Sequence, residues 1–404
     1  MEIPSPIHPF PARMAASIPW NILEGLSGSR HHRVLDPMAG SGTTLVVARR
    51  LGHEAIGIDT DPLAVLISSC WCSDVDERQV AKFTAKVAAR SADSWRSIPR
   101  REAYPGDANS ETRDFIRFWF DFRSRQQLLA LAREISVVRH STVRRLLWCG
   151  FSRLIIVKQA GASLAMDVAH SRPHRKYSRA PIEPILAFSR AMQRVVDASP
   201  FKEATANALP SATVMMGDAR RLRIEDASVD IVITSPPYLN AIDYLRGHKL
   251  SLVWMGHAVN DLRTVRAENI GTESGPRKSL CDDAVLRKAF RAGVFGGVLP
   301  NHQTRMFTRY LSDMRMVLAE IRRVLRNQGR AALVIGDSML RGTFVRNSEA
   351  IKSLAPQAGL RLLSERARML PQNRRYLPPP QGKYVGSGLA KRMRREVILT
   401  FGAA

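Results

Sequence analysis

The segment Arg33–Asp61, RVLDPMAGSGTTLVVARRLGHEAIGIDTD, constrains the fold most, because it changes element type twice within one short run. A short apolar strand at Val34 and Leu35 ends in Asp36-Pro37, and a Gly-rich turn follows. Thr43 to Leu51 then has the spacing of a helix with Leu45, Val46 and Ala48 inward, and Gly52 stops it. Glu54–Asp59 reads as a second buried strand ending in an acid. The whole is a β-α-β unit, which calls for parallel strands and a right-handed crossover.

A second block of the same character starts near Ala212. TVMMGDARRL and VDIVITSPPY give two strands bounded by polar or Pro-rich turns. From Tyr310 to Leu325 the apolar positions Leu311, Met314, Val317, Leu318, Ile321, Val324 and Leu325 recur at helical spacing. Gly329 is expected to end that helix before the strand AALVIGDS. Ile351–Gly359 and Leu360–Leu363 suggest a further helix and strand, and REVILTF has the alternation of a last strand. The expected fold class is α/β, an open Rossmann-like sheet of about seven strands.

Between the blocks the strand signals vanish and Arg-rich amphipathic helix takes over, as in FIRFWFDFRSRQQLLALAREI. An excursion of that length is a subdomain, not a loop. The expected organisation is therefore 1–72 and 212–404 as the two parts of one α/β domain, with 73–211 as a large helical insertion. No internal repeat or low-complexity tract is present. Within the insertion Phe118, Trp119, Phe120 and Phe122 are expected to pack its helix instead of forming a stacking platform.

Charge narrows the partners. Lys and Arg number 61 against 36 Asp and Glu, a formal net charge of +25. That exceeds what solubility requires and points to a polyanion. Basic residues interrupt every apolar stretch before it could span a bilayer, and the N-terminal MEIPSPIHPFPARM lacks the apolar run of an export signal. Four cysteines, with only Cys70 and Cys72 close together, make no disulfide framework or zinc pattern, so reduced thiols in a cytoplasmic protein are expected. His170 and His174 are four apart, but Pro173 between them argues against a helix and a metal site.

Two motifs carry chemistry. In Asp36-Pro37-Met38-Ala39-Gly40-Ser41-Gly42-Thr43-Thr44, two glycines after a strand let the backbone approach a ligand at a helix N-terminus. A P-loop needs Lys where Thr43 stands, and a nicotinamide fingerprint wants glycine where Leu45 stands. The remaining common user of a strand, a Gly-rich turn and an acid on the next strand is S-adenosylmethionine, whose ribose hydroxyls need a carboxylate where Asp59 falls. The competing role for Asp59 is capping the helix that begins near Pro62. The second motif, Thr234-Ser235-Pro236-Pro237-Tyr238, follows the apolar strand Val229–Ile233. Consecutive prolines force the chain out of the sheet at the edge where such sheets place ligands. The rigid turn suits holding a hydroxyl, a carbonyl and an aromatic face around a planar, amine-bearing ring.

Together, DPMAGSGTT and TSPPY resemble the DNA amino-methyltransferases, S-adenosylmethionine-dependent enzymes that methylate the exocyclic amine of cytosine or adenine. The Ser-Pro-Pro-Tyr form resembles the variant associated with N4 of cytosine. His8-Pro9-Phe10-Pro11-Ala12-Arg13 is similar to a segment that in this family precedes the cofactor turn and closes over the methionine end. The resemblance implies that Phe10, Asp36, Pro37, Gly40, Gly42 and Thr43 surround the methionine portion. It also implies that Asp59 holds the ribose and that Asp218 lies near the adenine amine. Ser235, Pro236, Pro237 and Tyr238 would form the catalytic pocket, with Tyr238 stacked on a base flipped out of the duplex.

Arg246 and Lys249, just after that turn, are expected to meet phosphates of double-stranded DNA. So are Arg172, Arg175 and Lys176 in the insertion and Arg374 and Arg375 near the C-terminus. The implied cofactor is S-adenosyl-L-methionine, and a cognate restriction endonuclease is the implied companion. Adenine N6 methylation, RNA methylation and a DNA-binding regulator with a degenerate cofactor site stand as alternatives.

Overall fold

The computed structural model describes residues 5–11, 13–26, 31–106, 108–202, 209–239, 243–271, 284–295, 298–340, 343–370 and 395–404. Among them the main sheet has seven strands: β1 (Arg33–Asp36), β2 (Glu54–Asp59), β3 (Ala212–Met216), β4 (Val229–Thr234), β5 (Leu325–Gly336), β6 (Leu360–Met369) and β7 (Arg395–Ala403). The chain forms two compact units. The first comprises Met1–Ser27, Ala39–Met216 and Ile242–Arg266, and the second comprises Gly28–Met38, Gly217–Ala241 and Ala267–Ala404.

In the first unit β2 and β3 run parallel, Ala55 opposite Ala212 and Asp59 opposite Met216. Helix α1 (Thr43–Arg50) packs on β2 so closely that a Cβ on Gly57 would lie 2.4 Å from Leu45 Cδ1. Helix α2 (Pro62–Trp71) follows β2, with Asp61 as its cap. The expected helical region is helical, but FIRFWFDF is not one helix. It divides into α3 (Ser110–Trp119) and α4 (Phe122–Ser136), because Phe120 leaves helical geometry and the Asp121 carboxylate accepts from Ser124 N at 2.9 Å. Phe120 is buried edge-on against Trp254, as packing requires. Phe118 departs from that expectation: it is 50% exposed, with the Arg175 guanidinium over its ring. Helices α5 (Ser141–Ile155) and Pro184–Asp197 continue the region, which also holds a minimal pairing of Ala165–Met166 with His174–Arg175. Helix α6 (Tyr244–Leu252) belongs to this unit.

In the second unit the strand order is β6-β7-β5-β4-β1. β4 is parallel to β1 and to β5, whereas β7 pairs antiparallel with both β5 and β6. Val34, Leu35, Val232 and Ile233 are fully buried, as expected of strands covered on both faces. β6 ends this order, and its exposed Arg361, Glu365 and Arg366 suit an edge. Helix α7 (Asn301–Val324) buries the forecast stripe from Leu311 to Val324. Gly329 does not end it. The helix stops at Val324, β5 begins at once, and Gly329 lies inside the strand. There the β4–β5 register shifts, from Val229 opposite Leu325 to Ile231 opposite Arg330. A Cβ on Gly329 would sit 2.9 Å from Arg326 O and 3.0 Å from Asp230 O, so the glycine serves a bulge. No helix among the described residues is long and apolar enough to cross a membrane.

Candidate functional site

The Gly-rich turn is built from backbone geometry that only glycine takes easily. Gly40 and Gly42 have φ of 51° and 86°, and a Cβ on Gly42 would lie 2.8 Å from Ser68 Cβ. Gly42 N donates to Ala39 O at 2.8 Å, and Ala39 N donates to Ile58 O at 2.9 Å. Thr43 starts α1, buried, and no side chain caps that helix. At the end of β2, Asp59 Oδ2 accepts from Gly40 N at 2.8 Å, and Oδ1 accepts from Asp61 N at 2.9 Å. The capping role goes instead to Asp61, whose Oδ1 takes Leu63 N at 2.9 Å. Asp59 thus holds the turn, half-buried at the end of its strand.

Phe10 is brought to this turn. Its ring carbons lie 3.5 and 3.7 Å from where a Gly40 Cβ would be, and the ring stacks 5.4 Å from Tyr244. The segment before it is anchored on α5. Arg153 donates to Ile7 O at 2.6 Å, and Ser152 Oγ lies 3.0 Å from His8 Nε2 while Nδ1 donates to Pro9 O. Burial, then the nearby Arg153 charge, pushes the His8 pKa well below 6.5. Two further residues, not foreseen from sequence, complete the cluster. His248 lies 5.3 Å from Phe10 between ring centroids, and its Nδ1 is 2.5 Å from Asp61 Oδ2. Tyr244 and His248 are four apart on α6, the one signal that could have exposed them as inward-facing.

The outer side of the same helix carries Arg246, which is exposed. Lys249 is half-buried with its ammonium 5.5 Å from the Phe115 ring centre; burial, then Arg266, lowers its pKa. Arg172, Arg175 and Lys176 are exposed on the segment after Ser171. Ser171 itself joins this segment to α6: its Oγ reaches the Asp243 and Tyr244 carbonyls and accepts from Gly247 N at 3.1 Å. Gly247 permits that docking, since a Cβ there would meet Val168 O at 2.6 Å. Arg374 and Arg375 lie outside the described residues.

In the second unit β4 delivers the Ser-Pro-Pro-Tyr turn. Thr234 Oγ1 donates to Asp36 Oδ1 at 2.7 Å, and Asp36 is 1% exposed. Met38 N also reaches Asp36 Oδ1, at 3.2 Å, and Pro37 is buried between them. Asp36, at the start of the Gly-rich segment, is therefore bonded to the residue before Ser235. Pro236 and Pro237 end the ladder after Thr234 opposite Leu333. Ser235 Oγ donates to Val334 O at 3.3 Å. Tyr238 Oη donates to Glu396 Oε1 on β7 at 3.3 Å, a partner 158 residues away that no local pattern announces. Asp218 is bound to Arg220, with Nε and Nη2 on its two oxygens, and Arg220 continues to Asp313 at 2.7 Å and Glu268 O at 2.7 Å. Burial would raise the Asp218 pKa, but the bonds from Arg220 bring it below 3.8. Among the described residues no three His, Cys, Asp or Glu side chains form a metal-binding group.

Residues 9–68 match a family model described as DNA methylase, of the N6/N4 type. Over 272 residues the chain is 23% identical to Type II methyltransferase M.BsoBI of Geobacillus stearothermophilus, covering 61% of this chain and 51% of that protein. It is 24% identical over 348 residues to Type II methyltransferase M.AvaI of a Nostoc species, covering 76% of this chain and 68% of that protein. The chain thus spans about half the length of the first of these relatives and about two thirds of the second. A TehB-like SAM-dependent methyltransferase from Corynebacterium glutamicum is matched over 96% of this chain and 87% of its own, at 10% identity and a TM-score of 0.31, a value from which no shared overall fold follows.

Proposed function

We propose that this chain, whose residues 9–68 match the N6/N4 DNA methylase family model, transfers a methyl group from S-adenosylmethionine to an exocyclic base amine of double-stranded DNA. The observation that carries the reading is the Thr234–Asp36 bond, which ties the Ser-Pro-Pro-Tyr turn to the strand that runs into the Gly-rich turn. The residues at that second turn fit the methyl donor. Gly40 and Gly42 hold the turn in left-handed backbone geometry, Phe10 lies against Gly40, and Asp59 supplies a carboxylate for ribose hydroxyls at the end of β2. Asp36, Pro37 and Thr43 complete the surround of the methionine portion, and Asp218 serves the adenine amine.

The donor supplies a methyl group on a cationic sulfur. A base amine is a poor nucleophile because its lone pair is delocalised into the ring. Ser235 addresses this directly. Its hydroxyl proton has Val334 O at 3.3 Å and Tyr238 Oη at 3.5 Å as acceptors, so its oxygen lone pairs are left for the acceptor role an amine N–H requires. The amine's second N–H donates to the Pro236 carbonyl, and the two bonds localise the lone pair for direct attack; the bonding pair of the methyl group would stay on the donor's sulfur and one amine proton would leave to solvent. Pro237 keeps this geometry rigid, and Tyr238 stacks on the extruded base, offsetting part of the few kcal/mol that flipping costs. Exposed Arg172, Arg175, Lys176 and Arg246 take the flanking phosphates, together with Lys249, Arg374 and Arg375.

The serine form of the turn supports N4 of cytosine as the acceptor. The likeness to two Type II methyltransferases supports a restriction-modification context with a cognate endonuclease as partner. Duplexes whose only amine-bearing acceptor in the recognition strand is cytosine or adenine, methylated and digested to nucleosides, test the base. N4-methylcytosine is expected. N6-methyladenine as sole product overturns the cytosine assignment, and label appearing only in RNA overturns DNA as substrate.

A further inference from the structure

His248 has no part in the transfer step above, yet its burial is costly. The residue is 1% exposed, its Nε2 is buried without a hydrogen-bond partner among the described residues, and its Nδ1 donates to a carboxylate, Asp61, that is itself 5% exposed. An apolar side chain of similar size would fill the space without leaving a polar nitrogen unpaired. Stability alone therefore does not account for it.

Two independent routes lead from His248 to the Gly-rich turn. Through hydrogen bonds, His248 fixes Asp61, whose N–H donates to Asp59 Oδ1 at 2.9 Å, and Asp59 Oδ2 accepts from Gly40 N at 2.8 Å. Through packing, the His248 ring lies 5.3 Å from the Phe10 ring, and Phe10 rests on Gly40. Both routes end on the same glycine. The geometry points to His248, with Asp61, as a positioning couple for the methyl donor: it sets the direction of the Asp59 carboxylate and the height of the Phe10 ring at the turn. The couple touches neither the donor nor the base amine. It rests on the methyl-donor reading of that turn.

Calorimetric titration of S-adenosylmethionine into the full chain tests this, alongside kcat at saturating donor. His248→Leu removes the donor to Asp61, whereas His248→Asn keeps an N–H where Nδ1 stands. A hydrogen bond to a charged group corresponds to about a tenfold loss or more. His248→Leu is expected to weaken donor binding by about that factor while kcat stays within about threefold, and His248→Asn is expected to recover most of the affinity. Asp61→Asn, which keeps an acceptor for the Leu63 cap, should reproduce the loss, and the double variant Asp61→Asn/His248→Leu should be no worse than either single one. Unchanged donor affinity in His248→Leu, losses that multiply in the double variant, or a fall in kcat alone would each overturn the proposal. If the wild-type chain itself gives no binding heat, the methyl-donor reading falls and takes this one with it.

Discussion

The hydroxyl of Thr234 donates to the carboxylate of Asp36 across 2.7 Å, joining the last residue of β4 to the last residue of β1. The two strands are parallel neighbours, with Leu35 opposite Val232, so their ends leave the sheet side by side. One buried bond thus fixes the ends of both strands. Thr234→Val keeps the shape and removes the donor from a buried carboxylate, and should cost about 1.5–3 kcal/mol of stability. Urea midpoints measure this. Thr234→Ser should lie near wild type, and a Val variant as stable as wild type would show that the bond is incidental.

Gly42→Ala should destabilise the fold and weaken donor binding together. The residue has φ of 86°, and the added Cβ would meet Ser68 Cβ at 2.8 Å and Cα at 3.0 Å, backbone that cannot swing away. Left-handed geometry and overlap together are worth about 1–3 kcal/mol. Thermal melting and donor titration on the same variant check both effects. Ser68→Gly in the Gly42→Ala background should restore part of the stability by removing the clashing atom.

Stability should fall as the solution is acidified from pH 7.5 to 5. His8 and His257 both have native pKa values below 6.5, chiefly through burial. Above 6.5 both folded and unfolded chains hold these rings neutral. Below it the unfolded chain takes up protons that the folded chain refuses, so stability is lost as pH falls towards the native values. Melting temperature against pH measures the slope. His8→Gln, which can still bond Ser152, should flatten it, and an unchanged slope would mean that His8 is not the group responsible.

Affinity for duplex DNA should decline steeply with salt while affinity for the methyl donor barely moves. Each phosphate contact contributes a slope of about −0.9 in log–log form. Replacing exposed Arg175 or Arg246 by Gln should lower the slope by about one each and weaken binding evenly across sequences. A variant that changes sequence preference instead would assign that arginine to base reading.

The parts legible in sequence were those written in consecutive residues. The two glycines and Asp59 are separated only by one helix and one strand, and TSPPY is a single turn, so their chemistry could be read without knowing the packing. Gly329 misled because a glycine after an apolar helical stripe ordinarily marks a cap, whereas here it serves a bulge whose need arises from Asp230 on another strand. His248 and Asp61 are 187 residues apart, and Tyr238 and Glu396 are 158 apart. Only tertiary structure brings such pairs together, and neither His248 nor Glu396 stands in a local pattern that names its partner. Phe118 stands in sequence among core-forming aromatics, but its helix presents it outward to Arg175.

Ser235 is proposed to assist methyl transfer to a DNA base amine. The most direct measurement follows radiolabel from S-adenosylmethionine into duplex DNA for wild type and Ser235→Ala, with donor dissociation constants measured for both. Label is expected in the bases with wild type. For Ser235→Ala turnover is expected to fall by about tenfold to a thousandfold, with donor affinity within about twofold of wild type. No label in DNA with wild type, or equal losses of turnover and donor affinity in Ser235→Ala, would contradict this role.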